Sequence, residues 1–226
     1  KMGQLVLLRH GESMWNRENM FTGWVDVPLS EKGIQEALKA GEALADIDFS
    51  VIYVSTLDRA MATAMICLSK THTGKTPVII HDEEADRREK WAKIYSDKMN
   101  SKIIPVHRDW HLNERYYGEL QGKNKKEMAD EYGADQVHIW RRSFDVRPPK
   151  GECLKDTADR TIPFFKETIM PQLAGNKNIL VVAHGNSLRS IVMYLDNLSS
   201  DEVVDLEIPT GVPLIYHYGD GGFSKE

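Results

Sequence analysis

The sequence predicts an α/β fold, a three-layer sandwich with a mainly parallel central sheet flanked by helices. Three observations predict it. Short continuous apolar runs, the form taken by strands covered on both faces, alternate with stretches of helical periodicity. Two of those runs end alike. Leu5, Val6, Leu7 and Leu8 lead into Arg9, His10 and Gly11, while Ile179, Leu180, Val181 and Val182 lead into Ala183, His184, Gly185 and Asn186. Turn and capping residues separate the runs, with no linker, low-complexity segment or solenoid period between them. Residues 1–226 are read as a single domain long enough to bury a core.

The bulk properties narrow the function classes. Hydrophobic residues make up 41% and charged residues 28%, an ordinary globular balance. The net charge of -5 argues against a nucleic acid or an anionic membrane as partner, though not against local basic patches. Cys67 and Cys153 are the two cysteines and lack CxxC spacing, so both are read as buried free thiols in a reducing compartment. No signal-peptide pattern or membrane-spanning run is present, and a cytoplasmic location is expected. Met2 is read as the natural start, and Lys1 is left out of fold reasoning.

In chain order, residues 5–8 form the first strand and residues 13–26 a polar loop that returns over its carboxyl end. That loop offers Asn16, Thr22 and Gly23 to whatever binds there. Ser30 caps a helix with Ile34, Ala37, Leu38, Gly41, Leu44 and Ala45 on its apolar face. Residues 51–54 read as a strand, and Ser55 or Thr56 as the cap of a helix that buries Ala60, Thr63, Ala64, Cys67 and Leu68. Arg59 falls in its first turn, against the macrodipole, which suggests an anionic partner, whether a surface salt bridge or a ligand. Residues 78–80 read as a third strand. The charged stretch at 81–100 reads as a surface amphipathic helix with Trp91, Ile94 and Tyr95 on its narrow apolar face, and residues 103–106 as extending or re-entering the sheet.

Residues 112–122 are glycine-punctuated and carry Glu114, Arg115 and Tyr117, a composition suited to a loop over a site. Two helices follow, at 123–132, closed by Gly133, and at 134–142. Arg141 and Arg142 end the second, where an Arg pair ordinarily means an exposed face. Leu154, Ala158, Ile162, Phe165 and Ile169 form another helical stripe, expected to kink at Pro163. After the second His-Gly strand, Leu188, Ile191, Val192 and Leu195 line a core helix beginning at Asn186. Residues 209–213 read as a loop and 214–218 as the last strand.

If the two His-Gly strands are neighbours in one parallel sheet, His10 and His184 meet across a pocket at their carboxyl ends, with Arg9 beside them. That end of an α/β sheet is where ligands bind. Arg9, Arg59, Arg115, Arg141, Arg142 and Lys125 are candidate clamps for a multiply anionic small molecule, since arginine grips phosphate and carboxylate through two parallel hydrogen bonds. His10 is a candidate nucleophile. A neutral imidazole with Nδ1–H held by a backbone carbonyl presents its Nε2 lone pair, and surrounding positive charge keeps it neutral. His184 is placed to donate to oxygens of a transferring phosphoryl group, and Glu114 to act as the general acid and base at the leaving oxygen. Each residue alone is more often structural. A metal site is opposed by the absence of HExxH among eight His residues, and a serine hydrolase by the absence of G-x-S-x-G.

The stretches LVLLRHGES, FTGWVDVPLSEKG, LNERYYGELQGKNK, QVHIWRRSFDV, AHGNSLR and IPTGVPLIY resemble, in order from residue 5 to about 216, the cofactor-dependent phosphoglycerate mutases of the histidine phosphatase superfamily. The resemblance implies a phosphoglycerate mutase-like fold and interconversion of 3-phosphoglycerate and 2-phosphoglycerate in glycolysis and gluconeogenesis. It implies an enzyme phosphorylated on His10, primed by 2,3-bisphosphoglycerate and using no metal. By the family pattern Arg9, Arg59 and His184 surround the transferred phosphoryl group, with Ser13, Asn16, Gly185 and Asn186 near it, and Glu114 is the acid/base. Thr22, Gly23, Arg115, Tyr117, Lys125, Arg141 and Arg142 would hold the glycerate carboxylate and second phosphate. A homo-oligomer, dimer or tetramer, is also implied.

Three departures from the family pattern stand out. Residues 81–106 have no counterpart in its common members and are read as a surface insertion. A segment of the longer members is missing between Pro149 and Glu152. The chain stops at Glu226 without the long basic tail of the longer members, which predicts a less closed site and a side phosphatase activity. A simple phosphatase of the superfamily needs only the first set of cations, so Lys125, Arg141 and Arg142 favour the mutase. A non-catalytic scaffold relative should have lost His10, Glu114 or His184, and all three are present.

Overall fold

The first apolar run forms strand β1 (Gly3–Arg9), in which Leu5, Val6, Leu7 and Leu8 are fully buried. The structure is a computed structural model and describes residues 3–82, 91 and 96–226. β1 pairs in parallel with β5 (Ile179–Ala183), Leu5 opposite Ile179 and Arg9 opposite Ala183, so the two His-Gly runs are neighbours in register. With β2 (Val51–Val54), β3 (Thr76–Ile80), β4 (Ile103–Arg108), β6 (Leu214–Gly219) and β7 (Gly222–Lys225) they make a seven-stranded sheet ordered β3-β4-β2-β5-β1-β6-β7. The first five strands in that order are parallel; β6 runs antiparallel to β1, and β7 to β6.

Side-chain alternation divides the core into two layers. Leu5, Leu7, Val51, Tyr53, Ile179 and Val181 face the π-helical turn Phe165–Ile169 that continues helix α7 (Leu154–Phe164), then α8 (Met170–Ala174) and α9 (Gly185–Leu195), meeting Phe165, Ile169, Leu173, Leu188, Ile191 and Val192. Val6, Leu8, Ile52, Val54, Leu180 and Val182 face α2 (Glu31–Ala43) and α3 (Asp58–Leu68), meeting Ala40, Ala60 and Ala64. Both faces are covered, which is why these strands read as unbroken apolar runs. Each fully buried Leu, Ile or Val contributes roughly 1.5–3 kcal/mol over its exposed state. A small third cluster, Phe21, Leu120, Met128, Val137 and Trp140, supports a cap made by the loops and by α5 (Lys125–Tyr132) and α6 (Ala134–Arg142).

Several local expectations are corrected. The buried face of α2 is Gly33, Ala37, Ala40 and Gly41, and Ile34 is 39% exposed. Close backbone approach sets that face: a Cβ on Gly33 would lie 2.1 Å from the Glu12 carbonyl oxygen, and one on Gly41 2.3 Å from that of Cys67. Neither Ser55 nor Thr56 caps α3. Leu57 is its N-cap, and the Asp26 carboxylate accepts from Asp58 N–H at 2.9 Å. The loop after β1 contains a short helix, α1 (Met14–Arg17), capped by Ser13. α7 runs through Pro163 into a π-helical turn, Phe165–Ile169, then α8 (Met170–Ala174). Thr157 and Thr161 join the buried stripe while Ile162 is half-buried.

Residues 103–106 belong to β4, so the last part of the stretch expected as an insertion is sheet. Trp91 is 60% exposed and α4 (Asp97–Asn100) follows; Ile94 and Tyr95 lie outside the described residues. Two elements were not anticipated. Ser199 and Glu202 form a capping box on α10 (Ser200–Val204). Asp220 and Gly221, with φ of 52° and 78°, turn β6 into the edge strand β7.

Candidate active site

The site lies at the carboxyl edge of β1 and β5, in the sheet order β2-β5-β1 where the chain has stepped over one strand position, a usual crevice in α/β folds. His10 follows β1 directly and His184 follows β5; their rings are 4.9 Å apart, tilted by 57°. His10 Nδ1 lies 2.7 Å from the Gly11 carbonyl oxygen, which can only accept, so Nδ1 carries the proton and Nε2 the lone pair. Arg59 Nε donates toward that Nε2 at 3.4 Å. Burial first, then the charges of Arg59 and Arg9, hold the His10 pKa well below 6.5. Burial and Arg59 do the same to His184, whose Nε2 is paired with Ser55 Oγ at 2.7 Å.

Small residues let the chain turn at this edge. A Cβ on Gly11 would meet the Gly33 carbonyl oxygen at 2.2 Å, so α2 locks directly onto the turn that carries His10. Arg59 is 2% exposed, its guanidinium donating to the carbonyls of Val25 at 2.8 Å and Gly23 at 2.7 Å; burial lowers its pKa to about 10 while Glu114 and Asp26 oppose the shift. Gly23 has φ of 57°, and a Cβ there would strike the Gln121 side chain at 2.2 Å. Arg9 donates to the Ile208 carbonyl at 2.9 Å, but its buried Nε finds no partner among the described residues. A buried cationic donor left unmatched at a cavity wall is a mark of an anion site.

Glu114 is 9% exposed. Its Oε1 accepts from Arg115 N–H at 2.8 Å and from Asn186 N–H, at the start of α9, at 3.1 Å, which leaves Oε2 to carry a transferred proton. A cavity of about 240 Å³ joins these groups, lined by Arg9, His10, Arg59 and Glu114 together with Lys125, Arg141 and Arg142. Asn16, Thr22, Gly23, Tyr117, Gly185 and Asn186 also line it. Its wall holds the cations Arg9, Arg59, Lys125, Arg141, Arg142 and Arg189 against the carboxylates Glu114 and Glu207. A protein of net charge -5 thus concentrates positive charge here. Burial, with Arg141 and Arg9 adding to it, lowers the Lys125 pKa to about 8.

Three expected site residues do not line the cavity. Arg115 is fully buried and spends its guanidinium on the carbonyls of Glu152, Arg141 and Trp140, so it fastens the Glu114 loop to α6 rather than gripping a ligand. Ser13 is fully buried, its hydroxyl capping α1 at Asn16 N–H. His184 is fully buried, its ring 4.9 Å from that of His10 and its Nδ1 without a partner among the described residues. The sequence reading missed Arg189, Glu207, Met20 and Phe21 in the wall. Arg189 had a signal: it stands three residues after Asn186 on a helix, and the two side chains bond at 3.0 Å.

A neutral, buried imidazole with its lone pair toward Arg59 and the charge of Arg9 acting on it, in a cavity that also holds a carboxyl group and further cations, defines the class: an α/β protein whose pocket suits nucleophilic capture of a phosphoryl group. The chain belongs to the histidine phosphatase superfamily (branch 1), whose family profile it matches over residues 5–88 and 84–226. It is 57% identical over 225 residues to the 2,3-bisphosphoglycerate-dependent phosphoglycerate mutase of Protochlamydia amoebophila (strain UWE25), covering 100% of this chain and 99% of that protein. It is 52% identical over 224 residues to the protein of the same name in Chlamydia abortus (strain DSM 27085 / S26/3), covering 99% and 97%. The alpha-ribazole phosphatase of Shigella flexneri superposes with a TM-score of 0.75 at 21% identity, covering 99% of this chain and 94% of that one, a likeness of fold. No helix among the described residues is long and apolar enough to cross a membrane.

Proposed function

We propose that this protein interconverts 3-phosphoglycerate and 2-phosphoglycerate through a phosphoryl group carried on His10, with 2,3-bisphosphoglycerate as primer. The observation that carries the reading is that one cavity holds more cations than its nucleophile uses. Arg59 and Arg9 are the cations whose charges act on His10, while Lys125, Arg141 and Arg142 line the same cavity without figuring among them. A phosphatase needs the first set alone. A mutase must also hold the far end of a substrate that carries charge at both ends, and relatives sharing 57% and 52% of their residues with this chain bear the mutase name.

The residues fit such a ligand. The unmatched Arg9 Nε is a ready partner for a phosphate oxygen, and the polyvalent positive wall offsets the charge of a bisphosphate. When bound, bisphosphoglycerate supplies the phosphoryl group that loads His10. The His10 Nε2 lone pair attacks phosphorus in line with the leaving oxygen; Arg9 and Arg59 take up charge on the peripheral oxygens. Glu114 gives its proton to the departing oxygen and takes one back from the hydroxyl that next accepts the phosphoryl group, a role that contributes roughly 10²- to 10⁴-fold. Lys125, Arg141 and Arg142 hold the other end while the glycerate turns over. No metal takes part.

The test is transfer of label from phosphorus-labelled bisphosphoglycerate. Acid-labile, base-stable label on His10 that passes to added monophosphoglycerate is the expected result, and His10→Ala should abolish it. Label exchange by His10→Ala at the parent's rate would refute the nucleophile assignment.

A further inference from the structure

Arg160 lies on α7, outside the cavity wall, with its side chain 10% exposed. All five of its N–H donors are spent around one loop. Nε donates to Glu152 Oε2 at 3.0 Å and Nη2 to Glu152 Oε1 at 3.0 Å, a bidentate pair. The remaining donors go to backbone carbonyls of the Glu114 loop: Nη2 to Glu114 at 2.9 Å, Nη1 to His111 at 3.0 Å and to Asn113 at 3.1 Å. Glu152 then grips the loop from the other side. Its Oε1 accepts from Tyr116 N–H at 2.8 Å, its own N–H donates to the Tyr116 carbonyl at 2.7 Å, and its carbonyl accepts from Arg115 Nε at 2.6 Å.

We propose that Arg160, oriented by Glu152, is a positioning residue for Glu114. It fixes the backbone from which the Glu114 carboxyl reaches both Asn186 N–H and the leaving oxygen. The inference rests on the acid/base role proposed above. The loop from residue 110 to 117 has little regular structure of its own beyond one turn, Trp110–Leu112, so its carbonyls have no ladder to fix them. A planar guanidinium supplies that missing ladder, reading three carbonyls and one carboxylate at fixed angles. Lysine cannot reproduce this, because an ammonium has three donors and no fork. Catalytic groups must stay within about half an ångström of the productive geometry. Among the described residues of α7, Thr161 adds one hydroxyl bond to the His111 carbonyl at 2.8 Å, and the guanidinium of Arg160 supplies the contacts nearest Glu114.

The experiment uses Arg160→Lys and, as a second variant that keeps Arg160, Glu152→Gln, with two readouts. The first is amide exchange. Arg115 and Asn186 N–H are protected by Glu114 Oε1, and Asn186 is on a different element from the loop. In both variants these two amides should exchange about tenfold faster or more, while the β1 ladder amides of Leu7 and Leu8 stay near the parent value. Unchanged Arg115 and Asn186 amides, or an equal rise throughout in both variants, would overturn the proposal.

The second readout compares phosphoryl donors. Loading of His10 from a phosphoglycerate requires protonation of an alkoxide leaving group, whereas p-nitrophenyl phosphate releases an oxygen that is stable as an anion. Arg160→Lys should slow the first by roughly 10²-fold in kcat with little change in KM, and the second by only a few-fold. Equal losses on both donors would mean that Arg160 is structural only. If the parent loads His10 from neither donor, the proposed function fails, and the exchange pattern still decides whether Arg160 places the Glu114 carboxyl.

Discussion

Lys125 gives the second clamp a measurable signature. Its pKa in the free protein is about 8, against an ordinary value of 10.5, first because it is buried and then because Arg141 and Arg9 repel its charge. A bound bisphosphate cancels that repulsion and adds an attraction that offsets the burial, which returns the group toward its ordinary value. At about pH 9 the free ammonium is roughly 0.1 protonated and the bound one nearly fully so, so binding takes up about 0.9 proton. At about pH 7 the uptake falls to roughly 0.1. The sign follows: the ligand must restore a proton that the free protein has lost, so affinity weakens as pH rises, by about tenfold between about pH 7 and pH 9. Titration calorimetry with bisphosphoglycerate in two buffers of different ionisation enthalpy measures the uptake directly. Lys125→Met should remove most of it. No uptake near pH 9, or the same uptake in Lys125→Met, would refute the placement of Lys125 against the second anion.

Glu114→Gln should bind bisphosphoglycerate about as well as the parent while loading of His10 slows by roughly 10²-fold or more in single-turnover labelling. The buried histidines predict acid lability. The unfolded chain takes up a proton at His10 below about 6.5 whereas the folded chain does not, so unfolding binds protons and stability falls as pH drops. His10→Ala should therefore flatten the fall in unfolding free energy measured by urea titration below that pH, with a slope smaller by about 1.4 kcal/mol per pH unit at its steepest. Gly33→Ala would place a Cβ 2.1 Å from the Glu12 carbonyl oxygen; urea unfolding should show a loss of roughly 1–3 kcal/mol, and His10 loading should fall as the turn shifts. Gly222→Ala, where a Cβ meets nothing within 4 Å, is the control, expected within about 0.5 kcal/mol of the parent.

The parallel sheet was legible because its central strands are covered on both faces and so carry unbroken apolar runs, and the repeated His-Gly ending located the pocket. The His10 tautomer was legible too, since a histidine that leaves a strand into Gly11 has a carbonyl within reach of Nδ1. Composition hid the division of labour among the arginines. Arg59, Arg115 and Arg160 are all largely buried, yet Arg59 faces the cavity, Arg115 binds three carbonyls and Arg160 grips a loop distant in sequence. Most of those roles depend on backbone contacts between residues 25 to 50 positions apart, which no local pattern records. The face of α2 was misread for a related reason. Glycines pack by letting backbones touch, and hydrophobic periodicity gives them no weight.

The most direct test of the central claim is turnover of 3-phosphoglycerate with and without a trace of 2,3-bisphosphoglycerate, in the presence of chelator, counting 2-phosphoglycerate and free phosphate together. Isomerisation that depends on the primer, survives the chelator and releases little phosphate is the predicted result. Free phosphate without 2-phosphoglycerate would contradict it, because the second set of cations would then not be holding a glycerate for return to His10.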